Sequence, residues 1–420
     1  MRTLLTYEFI KILKRKSSLI ALAGAVVLIM ALVAYLIQDN VRMDEKGNNV
    51  YGRESILLKK EQLASHEGPL TTDQLKDILQ EYQDYIGNKE NYGYQNGSYS
   101  ITNEAYGTYE QKNHELLSFI VGNYSSLQTW DPEILSTLTS EELDRFYLNR
   151  TETIHEILNA EYPTGNYSEE EKAYFLNTNH QLETPFYFSD ISVWDTLIKR
   201  GMQVVVLLLS FVICISVAPV FAGEYQTGAD AILLSSRFGR SKLIRAKLLS
   251  SLLYATAVYI LGGSLLTAPM LCVYGTVGWH SPIQLSSFTA AYPLTMFQLY
   301  LFGIGIGYLV AISSMALTLL FSAIAKTAFS TMILSTIWIF SGLFVPFTST
   351  SRAVNRLIAF LPANIANTHV VFSAYDTYTI CNIFGRIFPY FFIGALFYLL
   401  MILVCMVFAN HIFKTSQVRS

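Results

Sequence analysis

Charge is scarce along most of this chain. Asp, Glu, Lys and Arg make up 15% of its 420 residues, against 52% hydrophobic residues and a mean hydropathy of +0.34. Soluble domains carry about 25% charged residues, so the soluble class is excluded and a multi-pass membrane protein is implied. Cysteine is also scarce: Cys214, Cys272, Cys381 and Cys405 are the four. None falls within residues 39–193, the most polar stretch, so intramolecular disulfides are excluded there and hydrophobic packing must hold it together. Cys214, Cys272 and Cys405 sit in apolar runs and read as small buried hydrophobes.

Chemistry-bearing motifs are missing as well. There is no G-x-x-x-x-G-K-[ST] phosphate loop, and Gly239-Arg240-Ser241-Lys242 has the wrong order and spacing to cradle a nucleotide. The chain is therefore not expected to hydrolyse ATP. His155-Glu156 begins like a zinc-protease motif, but Asn159 stands where the second ligand belongs, so no metal site is expected. G-x-S-x-G is absent, which excludes a nucleophile elbow. Gly303, Gly305 and Gly307 lie inside an apolar run and not after a strand, so they read as sites of close helix packing, as do Gly262 and Gly263. No catalytic residue, cofactor or nucleic-acid partner is assigned to this chain.

What is there is a succession of apolar runs, each about the 20 residues needed to cross a hydrocarbon core of roughly 30 Å. They fall near residues 18–37, 202–221, 248–274, 295–324, 329–347 and 388–408. The fold expected is an all-α polytopic membrane protein with six transmembrane helices and a mainly helical extracytoplasmic domain between the first and second. Residues 1–38 hold an N-terminal amphipathic helix and the first span, residues 39–199 the outer domain, and residues 200–420 the other five spans. In the leader, Leu4, Leu5, Phe9, Ile10 and Leu13 share a side while Lys11, Lys14, Arg15 and Lys16 point to headgroups. A cleaved signal peptide is the rival reading, but its apolar core would be shorter.

The near-neutral net charge of −3 hides a division. Residues 39–193 carry 27 of the 32 acidic residues and 11 of the 29 basic ones. Cytoplasmic loops collect Lys and Arg, so the acidic segment is placed outside and both termini inside the cell membrane. Lys199, Arg200, Arg352, Arg356 and Arg386 break this bias; the first two are expected to reach headgroups beside Trp194, an interfacial anchor. Within the outer domain, Thr71-x-x-Gln74 opens one helix, Asp131-Pro132 another and Thr139-x-x-Glu142 a third. The run from Asn91 to Tyr109 reads as turns or short strands. Asn96, Asn123, Asn149 and Asn166 head N-x-S/T triplets, which matter only in a glycosylating pathway.

The stretch from Phe221 to Leu249 organises the rest. It joins two spans and holds Arg237, Arg240, Lys242, Arg245 and Lys247 against Glu224 and Asp230, as an inner loop should. Ala231, Ile232, Leu234, Phe238 and Leu243 recur at helix-like spacing between the basic residues, predicting short amphipathic helices. An Arg/Lys-rich loop can simply bind anionic lipid; the interleaved apolar residues favour a protein partner. Glu224, at the inner end of the second span, is either functional or an interfacial carboxylate paired with a nearby Arg or Lys. No charge stands in a span interior, which disfavours ion-coupled antiport.

Glu224, Gly228, the pair Leu233-Leu234, Arg237 and Lys247, in this order and within this topology, resemble the pattern of ABC-2 type permeases, the membrane subunits of ATP-binding cassette exporters. The resemblance covers about residues 1–38 and 200–420. It implies that the cytoplasmic segment 223–247 couples to a separate ABC ATPase subunit, which would hold ATP and Mg, while this chain holds none. It also implies pairing with a second permease chain, as a homodimer or heterodimer, with the leader helix beside the coupling segment. By position, Glu224 and Arg237 are expected to form a hinge pair. The uncharged span interiors suit a hydrophobic or amphipathic substrate such as a peptide, antibiotic or lipid. Alternatives are efflux of sodium or another ion within the same family, or a membrane sensor with an extracellular ligand-binding domain.

Overall fold

The computed structural model describes residues 1–95, 98–127, 129–236, 238–348, 350–367, 371 and 379–415. Arg237, Asn96, His369 and Arg419 lie outside the described residues. A leader helix α1 (Arg2–Leu13) turns at Lys14 into the first apolar helix α2 (Lys16–Gln38). The polar segment expected to be the outer domain follows, with α3 (Gly52–Ala64), α4 (Thr72–Gly87), α5 (Gln111–Tyr124), α6 (Phe146–Asn159) and α7 (Glu169–Asn179). Then come α8 (Ser192–Thr227), a short α9 (Ala229–Ser235), α10 (Gly239–Tyr274), α11 (Met296–Ala325), α12 (Ala328–Phe344), α13 (Arg352–Ala359) and α14 (Tyr390–Thr415).

Among the described residues, five helices are long and apolar enough to cross a membrane: α2, α8, α10, α11 and α14. The apolar helix α12 is shorter, at 17 residues, and rises only about 26 Å at 1.5 Å per residue. The chain is therefore a mainly helical, multi-pass membrane protein. α8 and α11 are largely buried and form the centre, whereas α2 and α14 present most of their surface outward. Small residues let α8 approach its neighbours. A Cβ on Gly262 would stand 2.4 Å from Leu209 Cδ2, and one on Gly307 2.5 Å from Val206 Cγ2, whereas Gly263 and Gly305 face open space. A Cβ on Gly303 would likewise stand 2.3 Å from Met202 Sδ, so three of the five glycines expected at helix contacts serve there. Of the cysteines in apolar runs, Cys214 and Cys405 are buried and Cys272 is exposed.

The outer domain has its own core, in which Leu75 and Leu79 of α4, Leu116 and Ile120 of α5, Leu143 and Phe146 pack together. Of the three helix starts predicted from the residue pattern, the one at Thr71 carries its side-chain cap. The Thr71 hydroxyl accepts from the Gln74 N–H, and Thr139 donates to Glu142 ahead of a short turn leading into α6. Asp131 departs from expectation. Its carboxylate accepts from the Glu133 N–H, making a tight turn, and only one helical turn, Ile134–Thr137, follows. Tyr92–Gln95 pairs antiparallel with Ser98–Ile101 in the Tyr-rich run. Asn123, head of one glycosylation triplet, is buried and donates to the Phe146 carbonyl.

Three arginines join this domain to the membrane part. Arg150 is buried and donates to the carbonyls of Phe288 and Ala290, in the loop between α10 and α11. Arg352 and Arg356 of α13 face Glu171 of α7. Trp194 is not an interfacial anchor: it is buried, and its indole N–H donates to the Val277 carbonyl. Lys199 and Arg200 pair with Asp195 and Asp39.

Candidate functional site

The site is built where α8 bends. The helix ladder breaks at Ala218 and restarts with Pro219, which has no N–H, at its first position, so the N–H groups of Phe221 and Ala222 lie in a first turn and need partners outside the ladder. One residue of α11 supplies them. Ser322 donates to the Ala218 carbonyl at 2.6 Å and accepts from Phe221 N and Ala222 N at 3.1 and 2.8 Å. A side chain inserted into a helix ladder is a recognised cause of a bend, and here it fixes the direction of the last turns of α8.

Those turns present Glu224, which is 5% exposed. Glu224 Oε1 lies 2.6 Å from Lys247 Nζ and 2.7 Å from Lys11 Nζ. Lys247 also reaches Glu8 Oε2 at 3.0 Å and the Val220 carbonyl at 3.3 Å. Arg15 donates to the Pro219 carbonyl. Glu8, Lys11 and Arg15 recur at three- and four-residue spacing on one side of the leader, around the buried Ile12. The face that docks the leader is thus this charged one, while Ile10 is exposed and Leu4, Leu5, Phe9 and Leu13 are half-buried. The expected partner of Glu224, Arg237, is outside the described residues; the described partners are Lys247 and Lys11.

Beyond Glu224 the chain turns sharply. Gly228 caps the helix with φ +69°, the left-handed region that glycine occupies without penalty. α9 follows, with Leu234 buried against the helix ends and Leu233 half-buried. A Cβ on Gly239 would lie 1.6 Å from the Leu233 carbonyl, so only glycine fits there. Arg240 donates to the Leu234 and Lys414 carbonyls, tying the tip to the end of α14. The side chains left outward are Ile232, Phe238, Arg240, Lys242 and Arg245. Lys242 sits 4.3 Å over the Phe238 ring.

The structure therefore sorts the residues singled out in the sequence. Glu224, Leu234 and Lys247 come together inside, Gly228 makes the turn between them, and Leu233 stands at the edge. Glu8 and Ser322 belong to the same assembly, although neither stood out in the residue pattern, and so do Lys11 and Arg15, which were expected at headgroups and instead reach Glu224 and the Pro219 carbonyl. One signal was present: Glu8 is the sole carboxylate in a leader otherwise rich in Lys and Arg.

An apolar groove of about 610 Å³ opens beside this assembly between α2 and α10, bordered by Phe9 and Leu13 of the leader and by Leu209 of α8.

The chain is thus a multi-pass helical body in which buried ion pairs brace the loop between α8 and α10 from behind. The family described as ABC-2 family transporter protein matches residues 2–418, so the chain belongs to that family and is a permease of the ABC transporters. No curated protein and no solved structure matches it.

Proposed function

We infer that the chain is the permease subunit of an ATP-driven exporter and that segment 223–247 is its coupling element. The observation that carries this is the pairing of Lys247 with Glu224 and Glu8. It locks the leader, the bent end of α8 and the start of α10 into one unit behind an outward tip. A push on that tip moves three elements together, as transmission by rigid packed elements requires. Ile232 and Phe238 give the tip an apolar anchor and Arg240, Lys242 and Arg245 a basic rim, a composition suited to a groove on a protein. The partner is a separate ABC ATPase subunit, which binds ATP and Mg and hydrolyses the nucleotide.

In this reading α12 is the sixth span and both termini are cytoplasmic. Residues 39–199 form an extracytoplasmic domain at the cell membrane. A second permease chain, identical or different, completes the pathway, and membrane lipid surrounds it. ATP binding draws the ATPases together and shifts an inward-open population towards an outward-open one. The substrate is hydrophobic or amphipathic, a peptide, antibiotic or lipid, consistent with the apolar groove beside α2 and α10.

The test is purification of the full chain in mild detergent from its own cells. Recovery of an ATPase bearing a phosphate loop, with hydrolysis stimulated by the permease, is the expected outcome. Absence of any such partner, with the tip intact, would overturn the assignment.

A further inference from the structure

On the face where the outer domain meets α13 lies a cavity of about 380 Å³ whose walls include Tyr162, Tyr167, Phe347, Arg352 and Arg356. Its charge is unbalanced. Arg352 and Arg356 face one carboxylate, Glu171, at 3.7 and 3.6 Å, beyond hydrogen-bond range. Glu171 is already committed, since its Oε2 accepts from the Ser168 N–H and caps α7. Two guanidinium groups against one shared carboxylate leave one positive charge in excess among the described residues.

Their donors are also largely unspent. Arg352 reaches the Asn166 carbonyl at 3.4 Å and stacks over the Tyr167 ring at 4.3 Å. Arg356 Nε is enclosed and has no hydrogen-bond partner among the described residues. An enclosed unpaired donor on a charged group is costly, and a planar guanidinium fork is matched by phosphate or carboxylate oxygens. The opposite side of α13 exposes Val354 and Leu357, so this helix presents arginines to the cavity and apolar residues away from it, as a helix lying in a membrane interface does.

We propose that this pocket binds a single anionic group of the phosphate or carboxylate type, held by the forks of Arg352 and Arg356 against the tyrosine walls. Two sources share that chemistry: the headgroup of an amphiphile in the adjoining leaflet, and a free anion. The placement of the pocket at the outer leaflet rests on the topology proposed above, but binding by the purified chain does not. Glu171 competes with the ligand for both arginines and keeps the empty pocket partly neutral.

The test is titration of the full chain, purified in an uncharged detergent, with dodecyl phosphate and separately with inorganic phosphate. Saturable binding is expected, weakened about tenfold or more by Arg356→Gln or Arg352→Gln, each of which removes a charge-assisted pair. Glu171→Gln should tighten binding, an outcome that damage to the fold would not produce. If Glu171→Gln lowers the melting temperature, the arginine variants alone decide. Markedly tighter binding of dodecyl phosphate assigns the headgroup as source, and equal binding assigns the free anion. Failure of both probes to saturate, or affinities unchanged in the arginine variants, overturns the proposal. Loss of coupling to an ATPase would leave this result untouched, so the two readings fail separately.

Discussion

Lys247 Nζ lies 2.6 Å from Glu224 Oε1, and the lysine side chain has no exposed surface. The pair joins residues 23 positions apart across the loop, and Glu8 joins it from the leader. Removing one partner of a buried ion pair strands the others and costs about 3–5 kcal/mol. Lys247→Met should therefore lower the melting temperature of the detergent-purified chain sharply, with two carboxylates left beside Lys11 and Arg15. Adding Glu8→Gln should restore part of the loss, because one stranded charge is removed. Equal melting temperatures for wild type and Lys247→Met would show that the pair does not hold these elements together.

Ser322 offers a second test. Its hydroxyl is the described partner of the Ala218 carbonyl and of two N–H groups at the bend. Ser322→Ala leaves buried backbone groups unpaired, at about 1–3 kcal/mol, and frees the bend to straighten. Thermal unfolding should register the loss. Ser322→Thr keeps a hydroxyl and should lose less.

The glycines give a matched series. Gly262→Ala and Gly307→Ala place a Cβ within 2.4–2.5 Å of Leu209 or Val206 on α8, and overpacking of this kind costs about 1–3 kcal/mol. Gly263→Ala and Gly305→Ala meet nothing within 4 Å and should be neutral or slightly stabilising, since alanine favours helix. Melting temperatures of the four variants separate the pairs; a uniform effect would contradict the packing described.

A pH effect belongs to the outer domain. Burial pushes the Glu115 carboxyl up, but Lys59 and Arg42 beside it prevail and hold its pKa below the ordinary value. A depressed carboxylate contributes stability above its unfolded pKa of about 4.3, and that contribution is lost as pH falls through the lower folded value. Melting temperature measured from pH 6 down to pH 3 should fall more steeply for wild type than for Glu115→Gln, and the two curves should converge at the acid end.

What could be read in the residues was local. Thr71 and Gln74 lie three apart, so their cap is a matter of short-range spacing, and Gly228 marks its own left-handed turn. Apolar runs revealed the long helices because the bilayer sets their length. The assembly around Glu224 was half legible. Its acid and Lys247 stood out as charges at span ends, but the contact with Glu8 spans 239 positions and leaves no periodic trace. Ser322 looked like any small residue in an apolar helix, since its role exists only where α11 crosses the bend of α8. Trp194 was misplaced for a related reason: composition marks a tryptophan near a span end, and tertiary packing decides whether it faces headgroups or the Val277 carbonyl.

The last test separates the tip from its brace. Ile232 is 75% exposed and Phe238 45% exposed, while Leu234 between them is 3% exposed. If the tip docks into an ATPase groove, Ile232→Glu and Phe238→Glu should abolish stimulation of the partner's hydrolysis and weaken co-purification while leaving the melting temperature of the permease unchanged. Apolar anchors at the centre of an interface often cost 2 kcal/mol or more when lost, roughly thirtyfold in affinity. Leu234→Ala should behave in the opposite way, lowering stability by about 2–5 kcal/mol as a buried leucine does, and should affect coupling only through that loss. Full ATPase stimulation in both glutamate variants would place the partner's contact elsewhere on the chain, and the buried ion pairs behind the tip would then be a brace for the membrane fold alone.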